Sequence, residues 1–378
     1  MALKGIKVLE FSGLAPGPLC GKILADFGAS VVRIDKHPEN PLDILQHGKR
    51  TLALNIKNTE SQVLIKSLCK NYDVLIEPYR PGVMERNRLG PVDLLKENPR
   101  LIYARLTGFG QNGILAQRAG HDINYLAISG ILSLLGRKNE KPTPPVNLMA
   151  DFAGGGVLCA LGICMALLER TRSGIGQVID SSMVEGAAYV ASWLIMSQNL
   201  PILWGRSRGD NLLDSGKFYY DTYETKDGKY MSVGALEPQF FEKFIEGLGI
   251  DNDLVSQSTD NVKAKEIVEK KFLEKTQEEW SKIFENNDAC VYPVLDWKEA
   301  WKHSHNKERK SFKLKDNGNV IPEPSPKLIR TPGKVGVVHK ADFDNILDIL
   351  SDIGKTAEDV KNLIEDGVLL ISKQNGNL

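Results

Sequence analysis

Surplus charge, paired cysteines and a long unbroken apolar run are all missing from this 378-residue chain. Lys+Arg and Asp+Glu both number 48, so net charge is zero. A balanced chain has no general attraction for nucleic acid or an anionic membrane, and neither is expected as a partner. Any phosphorylated ligand needs a local basic cluster. The five cysteines (Cys20, Cys69, Cys159, Cys164, Cys290) are odd in number and contain no CxxC pair. This excludes a disulfide framework and suits reduced, mostly buried thiols in an intracellular protein. No HExxH or Cys/His spacing is present, so no metal is expected. The most apolar run, Phe152 to Leu168, is uncharged for 17 residues and holds four glycines. It is shorter than the ~20 residues that cross a bilayer and reads as a core helix rather than a membrane span. Met1 to Val8 lacks a secretory apolar region, and no Arg/Ser-rich transit segment follows it.

What is present is a length for about two domains and a repeated strand–helix rhythm. Ile6 to Phe11 reads as a buried strand. A Gly/Pro turn at 12–18, a helix to about Phe27 and a strand at Val31–Asp35 complete a βαβ unit. Gly13, Gly17 and Gly21 are spaced by four, not as GxGxxG, which argues against a nicotinamide cofactor. The rhythm continues with a helix at 59–71, strands at 73–79 and 101–106, a helix from Asp151 to about Arg172, a strand at 177–180 and a helix at 183–199. Alternation of this kind predicts an α/β fold, a Rossmann-like, doubly wound parallel sheet with ligands at the strand C-terminal ends. Residues 217–325 change texture: a hairpin around Lys226-Asp227-Gly228 and a capping box at Thr276-Gln277-Glu278-Glu279 indicate a smaller α+β domain. The expected division is a large domain at 1–186, a linker at 187–216, the small domain at 217–325, and a return at 326–378 whose two helices pack on the large domain. The tail, 374–378, reads as frayed.

Two groups stand out. His121, in Gly120-His121-Asp122-Ile123-Asn124-Tyr125, and Asp151, in Asp151-Phe152-Ala153-Gly154-Gly155-Gly156, lie thirty positions apart and each opens a predicted helix. Imidazole holds or releases a proton near neutral pH. A helix start favours the ionised carboxylate of Asp151. Such a pair facing one pocket can move a proton across a carbon; the same residues also read simply as a loop histidine and an N-cap. The glycine run either admits a ligand or permits tight helix packing. A carboxylate on the second nitrogen of His121 would raise its basicity, and Asp122 and Glu237 are the candidates. The remaining histidines sit in polar, loop-like sequence and read as surface residues. Lys36 and His37, Lys49-Arg50, and Arg80, Arg86 and Arg88 map near one sheet edge, where an anionic handle would dock.

Longer stretches carry a resemblance: Phe11-Ser12-Gly13-Leu14-Ala15-Pro16-Gly17-Pro18, Glu77-Pro78-Tyr79-Arg80-Pro81-Gly82-Val83, Gly120 to Tyr125, Ala150 to Gly156, Val184-Glu185-Gly186, Glu237-Pro238-Gln239-Phe240 and His305 to Arg309. With these the chain resembles the class III CoA-transferase family, and within it the branch that racemises 2-methylacyl-CoA thioesters. The resemblance implies an interlocked homodimer with its active site between one chain's large domain and the other's small domain. It implies an acyl-CoA substrate held at Lys36, Leu54, Asn55, Ile56, Lys57, Arg86 and the backbone of Gly120, His121, Asp122, Ile123, Asn124 and Tyr125. It implies His121 and Asp151 as the two bases of a 1,1-proton transfer, with Glu237 orienting His121 and a helix-start N–H holding the enolate oxygen. No separate cofactor is implied, because CoA belongs to the substrate. A transferase of the same fold would use Asp151 as a nucleophile instead; a non-catalytic acyl-CoA binder would need no acid–base pair. Relatives of this branch work in peroxisomes and mitochondria, whereas the terminal Asn375-Gly376-Asn377-Leu378 departs from the usual peroxisomal ending.

Overall fold

The computed structural model describes residues 1–251, 253–315 and 318–372; the tail expected to fray lies outside them. The chain forms two compact units. The first comprises Met1–Ile131, Pro145–Ala191 and Glu323–Leu378, and the second Leu132–Pro144 and Ser192–Pro322.

The first unit contains, in order, β1 (Lys7–Phe11), α1 (Pro16–Asp26), β2 (Ser30–Asp35), β3 (Lys49–Leu54), α2 (Thr59–Cys69), β4 (Val74–Glu77), α3 (Val83–Arg86), α4 (Pro91–Glu97), β5 (Ile102–Thr107), α5 (Asp122–Ile128), a π-helical segment (Leu148–Val157) running into α6 (Leu158–Ser173), β6 (Val178–Ser182) and α7 (Met183–Val190). Six strands pair in parallel in the order β3-β2-β1-β4-β5-β6, and a short C-terminal strand, Leu369–Leu370, adds to β3 antiparallel. This mostly parallel α/β sheet has the strand order of dinucleotide-binding folds, whose topological switch point lies between β1 and β4. Local chemistry sets the elements. β4 and β5 are buried along their whole length, as strands covered on both faces must be. Pro16 opens α1 with a preset φ. The Asn58 side chain accepts from Glu60 N and Ser61 N to start α2. Gly174, at φ +76°, ends α6.

Leu9, Phe11, Val32, Ile34 and Leu52 form the core with Ile346, Ile349 and Leu350 from the helix Phe343–Ser351, and Val360 and Leu363 from Ala357–Glu365. The C-terminal helices thus bury their apolar faces on this unit, as their amphipathic patterns predict.

Three local expectations need correction. The helix expected to open at Asp151 begins at Leu148, so Asp151 sits inside its first turn. Its full length, Leu148–Ser173, is 26 residues. That is enough for a bilayer by length and composition, but Cys159, Ile163, Ala166 and Leu167 are buried in this unit. Finally, Lys49 and Arg50 do not map to a ligand-binding edge. They lie within β3, at its N-terminal end; Lys49 is 1% exposed and its ammonium pairs with Glu10 at 2.7 Å, while Arg50 pairs with Asp348.

The longer stretch of the second unit opens with α8 (Ser192–Ser197), so the helix expected over 183–199 is broken at Ala191. Strands β7 (Tyr220–Glu224), β8 (Tyr230–Gly234) and β9 (Val291–Pro293) form an antiparallel sheet in sequence order. Gly228, at φ +71°, serves the β7–β8 turn. Helices α9 (Pro238–Leu248), α10 (Asn261–Phe272) and α11 (Gln277–Phe284) supply Phe244, Phe272 and Trp280 to an aromatic core with Tyr223. The capping box at α11 forms as expected: Thr276 Oγ1 accepts from Glu279 N, and Glu279 Oε2 accepts from Thr276 N.

Candidate active site

The C-terminal ends of β1 to β5 converge where ligands bind in folds of this strand order. Two cavities open there, both within the first unit. One, of about 400 Å³, has His121, Tyr125, Asp151, Tyr79 and Arg80 in its wall. The other, of about 270 Å³, gathers Lys36, Leu54, Asn55, Ile56 and Lys57. Ser12 and Tyr79 belong to both walls. The structure therefore brings the predicted proton-handling pair into one cavity, together with Gly120 and Tyr125, and Lys36 with the Leu54–Lys57 segment into its neighbour. Arg86 is exposed on α3 outside both walls, as are Ile123 and Asn124 on α5, and Asp122, also outside them, is buried.

His121 is exposed at the N-cap of α5, in extended backbone. Its N–H donates to Asn124 Oδ1 at 3.1 Å, which fixes the helix entry. Behind it, Tyr125 donates its hydroxyl to the Gly120 carbonyl and packs edge-on against Phe109 at 5.2 Å. A β-carbon on Gly120 would lie 2.7 Å from the Tyr125 ring, so only glycine lets the loop close there.

Asp122 was a candidate to orient the imidazole. Its side chain turns the other way. Oδ1 accepts from the backbone N–H groups of Ala150 and Asp151, each at 2.8 Å. The residue is 4% exposed, and Oδ2 is buried without a hydrogen-bond partner among the described residues. Asp122 thus caps, from a different element, the amides in the first turn of the segment that carries Asp151.

This capping reverses the expected electrostatics of Asp151. A helix start was expected to favour its ionised form. Instead its carboxyl is held above the usual aspartate range, first by burial and second by the neighbouring Asp122 charge; a hydrogen bond from Asn147 and the proximity of His121 act against these. The helix amides that would have stabilised charge on Asp151 are already bonded to Asp122. Of the two readings left open for the glycine run, packing is realised. A β-carbon on Gly154 would meet the α7 backbone at Ala187 N, 2.5 Å away; Gly155 faces Met183, and Gly156 faces Pro16 and Leu19 of α1.

The β4–α3 turn carrying Tyr79 and Arg80 is held from below. Buried Glu77 accepts from Tyr79 N at 2.7 Å and from Arg105 Nε at 2.6 Å, and Arg105 also pairs with Glu85 at 2.8 Å. Burial, opposed by Arg105, raises the Glu77 carboxyl to about 7. Sequence reasoning overlooked Arg118, which lines the His121 cavity, and Asn147, which bonds to Asp151. Arg118 follows β5 in a loop, and an Asn directly before an apolar helix is an N-cap signal; either cue was readable. Glu237 lies in the second unit, exposed, at the N-cap of α9.

The chain matches the family described as CoA-transferase family III over residues 3–337. It is 50% identical over 385 residues to human alpha-methylacyl-CoA racemase, and 48% identical over 382 residues to the mouse protein of that name, with 100% of both chains covered in each case. In fold it is similar to a CAIB/BAIF family protein from Brucella suis, with a TM-score of 0.76 at 21% identity, covering 96% of this chain and 98% of that one.

Proposed function

The chain belongs to CoA-transferase family III, and on that premise we propose that it interconverts the (2R) and (2S) epimers of 2-methylacyl-CoA thioesters by two-base proton transfer. The observation that carries this reading is the sharing of one cavity by His121 and Asp151, in a chain about half identical over its full length to curated racemases.

The thioester carbonyl acidifies the hydrogen on the α-carbon. One group, neutral His121 or ionised Asp151 according to the epimer, removes it to give an enolate; the protonated partner returns a proton on the opposite face. Two-way chemistry needs both groups to exist in both forms near working pH. The upward shift of Asp151 brings its carboxyl toward imidazole and supports that role. Backbone N–H groups at the start of α5 would hold the enolate oxygen. We assign Glu237 to orient and charge His121. Lys36, the Leu54–Lys57 segment and Arg86 would hold the phosphates and adenine of CoA, which is part of the substrate. The chemistry we propose uses no separate cofactor or metal. Branched fatty acyl and bile-acid intermediates are the proposed substrate class.

We also infer an interlocked homodimer. Leu161, Met165 and Leu168 are 49%, 56% and 62% exposed on one stripe of α6, an apolar surface that a second copy would cover.

The first test is proton NMR with (2S)-2-methyldecanoyl-CoA in deuterated water, without an acceptor acid. We expect loss of the α-proton signal and appearance of the other epimer, with a fall of roughly 10²–10⁴-fold in His121→Ala and in Asp151→Asn. CoA transfer to added carboxylic acids without α-exchange would instead make Asp151 a nucleophile.

A further inference from the structure

Asp122 touches both halves of the proton-handling pair. It follows His121 directly in the chain, and its Oδ1 holds the amides of Ala150 and Asp151. It is buried and lies outside the cavity wall, so it is placed to act on the pair rather than on the substrate. Building on the racemase reading, we propose that Asp122 is a positioning residue that locks the Asp151 backbone to the start of α5 and supplies a fixed negative charge beside Asp151.

Two features separate this role from ordinary capping. A neutral side chain such as Asn or Ser would satisfy the same amides, so hydrogen bonding alone does not require a carboxylate. Oδ2 makes no hydrogen bond among the described residues, although burying an unpartnered oxygen is unfavourable. What the carboxylate adds is charge. Beside Asp151 this charge disfavours ionisation. The effect increases proton retention by that carboxyl.

The charges that bear on the Asp151 carboxyl are those of Asp122 and His121. The other elements packed against its segment carry Cys20 and Lys22 on α1, Tyr125 on α5, Cys159 on α6, Glu185 on α7, Arg105 on β5 and Asp180 on β6. Arg80 acts on Tyr125, which also feels Asp151. None of these is changed in the test.

The test is the pH profile of kcat/KM for α-proton exchange in wild type and Asp122→Asn, with thermal melting of each. Removal of the charge should make Asp151 easier to ionise. The limb of the bell set by Asp151 should therefore move to lower pH, by on the order of one unit, while the variant stays folded. A loss of rate with that limb unmoved overturns the proposal and leaves Asp122 a cap alone. If Asp122→Asn does not fold, Asp122→Ser is used with the same criterion; failure of both to fold assigns a structural role and also overturns it. Wild-type protein without α-proton exchange overturns the racemase reading and this role with it. Exchange in wild type with that limb unmoved in a folded variant overturns this role only.

Discussion

Single side chains in this protein are decided by distant partners. Lys49 follows a glycine in a stretch that reads as solvated, yet its ammonium lies in the first unit's core between Glu10 and the Pro18 carbonyl. Burial, partly offset by Lys49, raises the Glu10 carboxyl to about 7. Lys49→Met should therefore destabilise the protein by about 3–5 kcal/mol at pH 8, because it strands a buried negative charge. The sign of the pH dependence follows. Glu10 has a folded-state value above its unfolded one, so its protonated form is the one the native state tolerates. Without Lys49, which lowers it, Glu10 keeps its proton to still higher pH, so the loss should grow as pH rises above about 7 and level off below it. Urea unfolding of both proteins at pH 6 and 8 checks this; an equal loss at both values would contradict it.

At the level of elements, the site depends on how closely the π segment approaches its neighbours. Gly154 and Gly186 meet backbone to backbone, and a β-carbon on Gly186 would run into the Gly154 carbonyl. Gly186→Ala should cost about 1–3 kcal/mol, since the two helices must separate. The shift falls on the segment that carries Asp151, so exchange activity should drop as well, although residue 186 lies outside the cavity wall. Chemical denaturation together with the exchange assay tests both effects, and unchanged stability would show that the contact is slack. The β4–α3 turn makes the complementary case. Its wall of the cavity is fixed by the Glu77–Arg105–Glu85 pairs below it, not by its own sequence.

For the whole molecule, the proposed homodimer has a measurable consequence. A second copy would cover the apolar stripe on α6. Sedimentation velocity at micromolar concentration should give a species of twice the 41.9 kDa chain mass. Leu161→Glu with Leu168→Glu should lower that mass, and α-proton exchange should fall with it if the site is completed by the partner. A monomer that retains full activity would exclude that arrangement.

Several things were legible in the chain itself because their causes are local. Continuous apolar runs marked the strands of the parallel sheet. Pro16, Gly174 and the Thr276–Glu279 box marked helix ends. Long ordered motifs around His121 and Asp151 pointed to the family. The rest required tertiary structure, because it depends on groups far apart in sequence. The Asp122 carboxylate turns from the expected imidazole to amides 28 and 29 positions away. That one choice removes the helix-start stabilisation expected at Asp151 and adds a like charge beside it. The role of the 154–156 glycines was likewise open until α1 and α7 were seen packed against them. Local pattern thus determined which residues could do chemistry, while long-range packing decided their protonation, because burial and neighbouring charge are properties of the folded chain.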